Sequence, residues 1–247
     1  MTVNTYGLRE VADLTFYDLT TNRPFLYLPY ALTSSNEHTS QVTYARGGKG
    51  NPKRMIFDGN RESTLKISTQ LFDFRIISLL AGAEVTSGST NIFKREELVV
   101  TENAGNMEVV LSMPPANGSI AIYLIDEDAF QGEECAISVN GSAVTITSPI
   151  TAGEKVIAYY QHLSGSAAEK ISFKTDKFPK ACKVIGDTLL KNEATNENEP
   201  FQMIVYKAKP QANFTLNMTS EGEPTKLDMT FELMADSSNN FIDYIKY

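Results

Sequence analysis

A chain of 247 residues with 42% hydrophobic and 21% charged residues has the balance of a folded globular protein, which excludes a disordered or low-complexity segment. At this length about 70–75% of the unfolded surface can be buried, so folding requires neither a metal nor a disulfide. The net charge of −8 excludes a general duplex-DNA binder, which needs a positive stripe to displace counterions.

The acidity is uneven. Residues 1–90 carry 9 basic and 8 acidic side chains, residues 91–165 carry 3 and 10, and residues 166–247 carry 10 and 12. The excess therefore sits in the middle of the chain, as expected of a separable module. Residues 1–10 are polar and lack the apolar stretch of a signal peptide, which predicts synthesis in a reducing cytoplasm with Cys135 and Cys182 as free thiols. No apolar run approaches the ~20 residues needed to cross a bilayer, so no membrane is expected as a partner.

In chain order, β-branched and aromatic runs between turn signals predict strands at 14–17, 24–30, 41–44, 54–57 and 63–68. The period then lengthens. Phe72, Ile76, Leu79, Leu80 and Ala83 follow a 3.6-residue stripe, which predicts a helix over 69–83. Ser68 or Thr69 is expected to cap it, with Asp73 in the first turn and Gly82 at its end. Residues 107–111, 120–125, 136–139, 144–147 and 156–160 again read as short strands. Asn140-Gly141, flanked by Ile137/Val139 and Val144/Ile146, predicts a two-residue hairpin. These strands predict a small Ig-like β-sandwich over 95–165, bounded by the polar stretches 94–97 and 164–168. The last third predicts strands at 201–207, 214–219 and 226–234, with polar loops at 192–200 and 220–225.

Reactive constellations are sparse. His38 and His162 have no partners at metal-ligand spacing and read as surface residues; no Gly-x-Ser-x-Gly elbow is present. Residues 47–54 are glycine-rich and basic, but Lys49 is followed by Gly50 and then a strand, so a phosphate-binding loop is rejected. The four cations there, Arg46, Lys49, Lys53 and Arg54, read either as a solvated loop or as a contact for an acidic patch on another subunit. Asp126-Glu127-Asp128 and Glu133-Glu134 lack the spacing of an oxygen-ligand cation loop and read as solvated acids. Tryptophan is absent and no cluster of exposed aromatics suited to a carbohydrate platform is visible in the order of the tyrosines. No enzyme activity and no cofactor are predicted.

Residues 207–237 carry a recognisable pattern of two strands, a Glu221-Gly222-Glu223-Pro224 turn and an Ala235-Asp236 end. This segment resembles the close of the phage major tail proteins, the subunits of the tail tube. The order of strands, long loop, strands and helix near 71–81 in the first third is similar to that family as well. The resemblance implies a mainly β, tail-tube-like core of two packed sheets flanked by one helix, over 1–94 and 166–247, with the β-sandwich over 95–165 as an insertion. It implies homo-hexameric rings stacked into a tube in the virion tail, with other tail proteins as further partners and DNA passing through without specific binding. Such a subunit is made in the cytoplasm of the bacterial host. By the same resemblance the polar segment 33–53 corresponds to a loop that touches the neighbouring ring. A capsid decoration or adhesion protein using the middle module is the alternative, and a hydrolase built on His38 or His162 the third class.

Overall fold

The computed structural model describes residues 5–116, 118–125, 131–218 and 220–247. Strands hold 55% of the chain and helix 3%, so the protein is mainly β. The first strands are β1 (Tyr6–Leu8), β2 (Asp13–Asp18), β3 (Pro24–Leu28), β4 (Ala31–Arg46) and β5 (Lys53–Thr69), followed by helix α1 (Phe74–Ala81). Next come β6 (Thr86–Ser87), β7 (Asn91–Val99), β8 (Thr101–Asn103), β9 (Asn106–Val110), β10 (Ile120–Ile125) and β11 (Gln131–Glu134). The series continues with β12 (Ile137–Asn140), β13 (Ala143–Ile146), β14 (Lys155–Leu163) and β15 (Glu169–Lys170). The chain closes with β16 (Cys182–Asn192), β17 (Asn198–Pro210), β18 (Leu227–Leu233) and β19 (Ile242–Lys246). Two compact units result, one of Met1–Val85 with Ile171–Tyr247 and one of Thr86–Lys170.

The first unit is a nine-stranded sheet in the order β3-β2-β16-β17-β18-β5-β4, with β1 added along β16 and β19 along β17. Period-two alternation decides what it buries. Leu227, Met229, Phe231 and Leu233 of β18 point inward while Asp228 and Glu232 stay wet. Leu14 and Phe16 on β2, Val184 on β16 and Leu65 and Ile67 on β5 complete the same core. β2 and β18 stand three strand spacings apart, about 14 Å in a flat sheet. Yet the rings of Phe16 and Phe231 lie 5.7 Å apart. The sheet is therefore folded over, and two layers pack on one core. The turn falls at β17, where an irregular register opposite Cys182/Val184 lets one strand pair with β19 through residues 201–205 and with β18 through 208–210.

Helix α1 places Ile76 and Leu80 against that core. It is shorter than its periodicity predicts. Thr69 is taken by the sheet, opposite Leu227, so Asp73 is the cap rather than a first-turn residue. Its carboxylate accepts from the amides of Arg75 and Ile76 at 2.9 and 3.1 Å. Phe72, read as part of the apolar stripe, and Leu71 and Phe74, which would broaden it, remain exposed, whereas Ile77 is buried. Gly82 closes the helix at φ +64°.

The expected strand at 214–219 does not form over the described residues: its alternation finds no partner strand, and Met218 is 94% exposed. Periodicity predicts a face, but a ladder needs a neighbour.

The second unit is a sandwich of two four-stranded sheets, β11-β10-β14-β7 and β12-β13-β9-β8, with β6 and β15 paired separately. Its core contains Val109, Leu111, Ile122, Val144, Ile146, Val156, Ala158 and Tyr160. The polar stretch 94–97, read as a flank, is the centre of β7 and pairs with residues 157–160 of β14. The expected hairpin forms one residue later than predicted: Asn140 pairs with Ala143, so Gly141 and Ser142 are the loop. Gly141 supplies the positive φ of 61°. The Asp126-Glu127-Asp128 triplet lies outside the described residues.

At one end of this core Glu96, with a side chain only 12% exposed, takes an ion pair from Lys94 at 2.6 Å and the Ser112 amide at 3.1 Å, together with the Ser112 hydroxyl. Burial alone would raise the Glu96 carboxyl, but these bonds outweigh it and bring it from 4.5 down to about 2.

Two outcomes follow. In Gly82→Ala the new methyl meets the Phe178 carbonyl carbon at 2.2 Å and sits at positive φ, so the loss of stability exceeds the ~1–2 kcal/mol of a left-handed residue alone. Denaturant unfolding measures it. Because Glu96 titrates lower in the folded state, its contribution is complete above about pH 4.5 and is lost as pH falls toward about 2. Glu96→Gln costs about 1–3 kcal/mol at neutral pH. The variant also loses less stability than the parent on acidification, as thermal melts across that range will show.

Candidate assembly surface

The expected loop over 33–53 is largely not a loop. β4 and β5 form one hairpin, 16 and 17 residues long, and only residues 47–52 turn. The strands read at 41–44, 54–57 and 63–68 are pieces of this hairpin; its full length escapes the sequence because residues 53–62 of β5 are all exposed and show no alternation of burial. β18 covers β5 only from Ser63 to Thr69. Beyond Ser63 the hairpin is a ribbon of two strands, extending roughly 30 Å at ~3.3 Å per residue. β4 is the edge of the sheet and pairs only with β5 among the described residues.

Paired residues share a face, so the register sorts the ribbon's side chains. A bulge sits where Ser40 pairs with Arg61 and Gln41 with Gly59; the extra residue Asn60 adopts φ +45° and its amide donates to the Gln41 side chain at 3.0 Å. Past the bulge Val42, Tyr44 and Ile56 share one face, and Phe57, Ala45 and Met55 the other. Val42, Met55, Ile56 and Phe57 are all exposed. Apolar side chains therefore stand in water on both sides of a ribbon that is marginal by itself.

The tip gathers the basic residues. In the turn, Gly48 and Gly50 hold φ of 89° and 80°, and the Asn51 amide donates to the Gly48 carbonyl at 3.0 Å. Arg54 Nε donates to the Gly47 carbonyl at 3.2 Å, closing the turn from its far side. Lys53 Nζ sits 3.7 Å above the Tyr44 ring and the Arg46 guanidinium lies 5.8 Å from it. Lys49 has no hydrogen bond or ion pair among the described residues, and none of the four cations is ion-paired to an acid there. Residues 39–62 hold five basic and two acidic side chains in an otherwise acidic chain.

The root of the ribbon is fastened by a residue read as a lone surface histidine. His38 meets the Ser63 hydroxyl through Nδ1 at 2.6 Å and the Tyr244 hydroxyl through Nε2 at 3.2 Å. Tyr244 stacks on Phe201 with centroids 5.8 Å apart, so β19 braces the point where the ribbon leaves the sheet. Sequence spacing carries no signal for this contact, since 206 residues separate the two partners. His162 meets only the neighbouring Leu163 carbonyl, at 3.3 Å.

Among the described residues no three His, Cys, Asp or Glu side chains converge on a cation position. Cys135 and Cys182 are unbridged and buried, and burial pushes the Cys182 thiol up to about 12. Among the described residues no helix is long and apolar enough to cross a membrane. The arrangement offers contact surface: a long edge strand, a two-sided apolar ribbon and a cationic tip.

No curated protein matches the chain. A family model does, and it runs through both units, including the middle module read from sequence as an insertion. Matched over residues 6–247, the chain belongs to the YomU/Tube protein family.

Proposed function

We propose that this chain is a structural subunit of a phage tail tube, polymerising as stacked rings of six through which DNA passes, with the β4–β5 ribbon as the principal contact between copies. The observation that carries the reading is the ribbon itself, where Val42, Ile56, Met55 and Phe57 are exposed on both faces of a hairpin with no third strand. Covering those side chains and pairing the β4 edge removes the surface that makes a free edge prone to aggregate. The cations at Arg46, Lys49, Lys53 and Arg54 fit an acidic patch on the neighbouring copy and set its register. The subunit acts in the virion tail beside other tail proteins, is made in the host cytoplasm, and performs no catalysis.

Residues 86–170 are proposed to fold as a module on their own. Thr86 pairs with Lys170, and the Thr86 hydroxyl donates to the Lys170 carbonyl at 3.1 Å, so the chain enters and leaves the module within about 5 Å. Excising 86–170 and bridging the ends with a short glycine linker leaves a core that unfolds in one cooperative transition. Excising only 95–165 strands the first residues of β7 without β14 and lowers that stability. Loss of cooperativity in the larger excision, followed by circular dichroism on heating, would refute the module.

Charge reversal tests assembly. Lys49→Glu, which disturbs no contact within the subunit, and the double variant Lys53→Glu/Arg54→Glu leave the melting temperature within about 2–4 °C of the parent, as surface changes do. Both shorten or abolish the hollow tubes seen by negative-stain electron microscopy. Parent assembly also weakens as salt rises toward ~1 M, where screening acts within ~3 Å. Tubes of normal length from both variants would sink the role of the tip, and uniform monomers of the parent at every concentration would sink the tube reading.

A further inference from the structure

The second unit carries an aromatic surface of its own. On β14 the residues Val156, Ala158 and Tyr160 point into the sandwich core, so Ile157, Tyr159 and Gln161 face outward. Register adds their neighbours to that outer face: Glu97, Arg95 and Phe93 on β7, and Tyr123 and Ala121 on β10. Three aromatics separated by up to 66 positions are thereby gathered on one face, although their order in the sequence gives no hint of it.

The face is built as a shallow trough. Phe93 is 80% exposed at one side, and Tyr159 packs edge-on against Tyr123 with centroids 6.1 Å apart. The small side chain of Ala121, next to Tyr159, leaves a groove of about 460 Å³ lined by Phe93, Arg95, Gly118, Ser119, Ala121 and Tyr159. Ile157, on the same face, is 1% exposed and lies outside the groove. Beside the rings, Arg95 holds Glu97 in an ion pair at 2.8 Å. Guanidinium donors and carboxylate acceptors therefore lie next to each other, beside the exposed Phe93 ring and the half-buried Tyr159.

We infer that this groove binds a neutral saccharide chain, with sugar rings lying on Phe93 and Tyr159 and hydroxyls bridged to Arg95 and Glu97. The chemistry selects that ligand. The C–H face of a pyranose is weakly electropositive and suits the negative face of an aromatic ring. Its vicinal hydroxyls both donate and accept, so they satisfy a donor and an acceptor held side by side. A nucleic acid or other polyanion is repelled by a stretch, 91–165, with 10 acidic and 3 basic residues. A second protein copy would bury the Arg95–Glu97 pair without replacing its water, which costs more than the contact returns. The open, elongated groove suits a polymer bound along its length rather than a small molecule held in a cavity.

The test is saturation-transfer difference NMR on the full chain with chitohexaose and maltohexaose, a ligand-observed measurement that works whether or not the protein has assembled. At least one of the two glycans is expected to receive saturation, most strongly on ring C–H protons. Binding weakens about tenfold or more in Phe93→Ala and in Tyr159→Ala, as for truncation of an aromatic anchor. Phe93 is exposed enough that its removal leaves the melt unchanged, which separates loss of binding from loss of fold. Absence of transfer to both glycans, or transfer that persists in Phe93→Ala, overturns the proposal. So does a Phe93→Ala variant that loses self-association and shows no glycan signal in the parent, because the face is then a contact between copies. None of these outcomes depends on whether Lys49→Glu changes tube length.

Discussion

The ladder between β18 and β5 stops at Ser63, and the rest of the molecule's outward design depends on where it stops. A strand inside a sheet has its backbone groups paired on both sides and one or both faces covered. From Ser63 outward β5 keeps only its pairing with β4, and both faces are left to solvent. Such a ribbon is held at its root. There His38 bridges Ser63 and Tyr244, and Tyr244 is itself pinned on Phe201, so the last strand of the chain braces the first long hairpin. The family match over 6–247 spans this overhang as well as both cores. The lysines and arginines at its tip set positive charge beside exposed apolar side chains.

The two cores beneath are conventional in their chemistry, and that is informative. The first relies on aromatic contact across a folded sheet, Phe16 on Phe231, and admits only small breaches such as the bulged register at β17. The second closes one end of its sandwich with a charged group, Glu96, made tolerable by Lys94 and Ser112. Groups with latent reactivity are sealed: Cys182 is buried with its thiol pushed to about 12, which leaves almost no thiolate at neutral pH. What the molecule leaves open to solvent is shape, apolar side chains and charge.

Much of this was legible in the sequence wherever alternation coincided with burial. Leu227, Met229, Phe231 and Leu233 announced β18, and the Ile137/Val139 and Val144/Ile146 pairs announced their hairpin. Alternation failed in two opposite ways. Phe214, Leu216 and Met218 alternate without forming a strand, and Met218 is 94% exposed. The outer half of the β4–β5 hairpin is strand without alternation, because neither face is buried. The helix lost its first turn to a sheet that claimed Thr69, a competition between elements that no single window of sequence contains. The four tip cations were readable as a cluster, whereas the His38–Tyr244 clasp and the Phe93–Tyr123–Tyr159 face exist only after distant strands are brought into register.

The bulge at Asn60 has a geometric consequence for the ribbon. If Asn60 were instead paired in register opposite Gln41, with no bulge, the partners beyond it would shift by one. Phe57 would then stand opposite Tyr44 rather than Thr43, joining Val42, Tyr44 and Met55 on a single side. The result would gather Val42, Tyr44, Met55 and Phe57 on one face and leave Ile56 alone on the other, so that one flat neighbour could cover most of them. The inserted asparagine changes the parity of one strand and deals the large side chains out to both sides, Ile56 with Tyr44 and Phe57 with Thr43. A blade sharpened on both sides is not seated by laying it on a surface. A surface that covered it fully would have to reach both sides, by wrapping it or by closing on it from opposite directions.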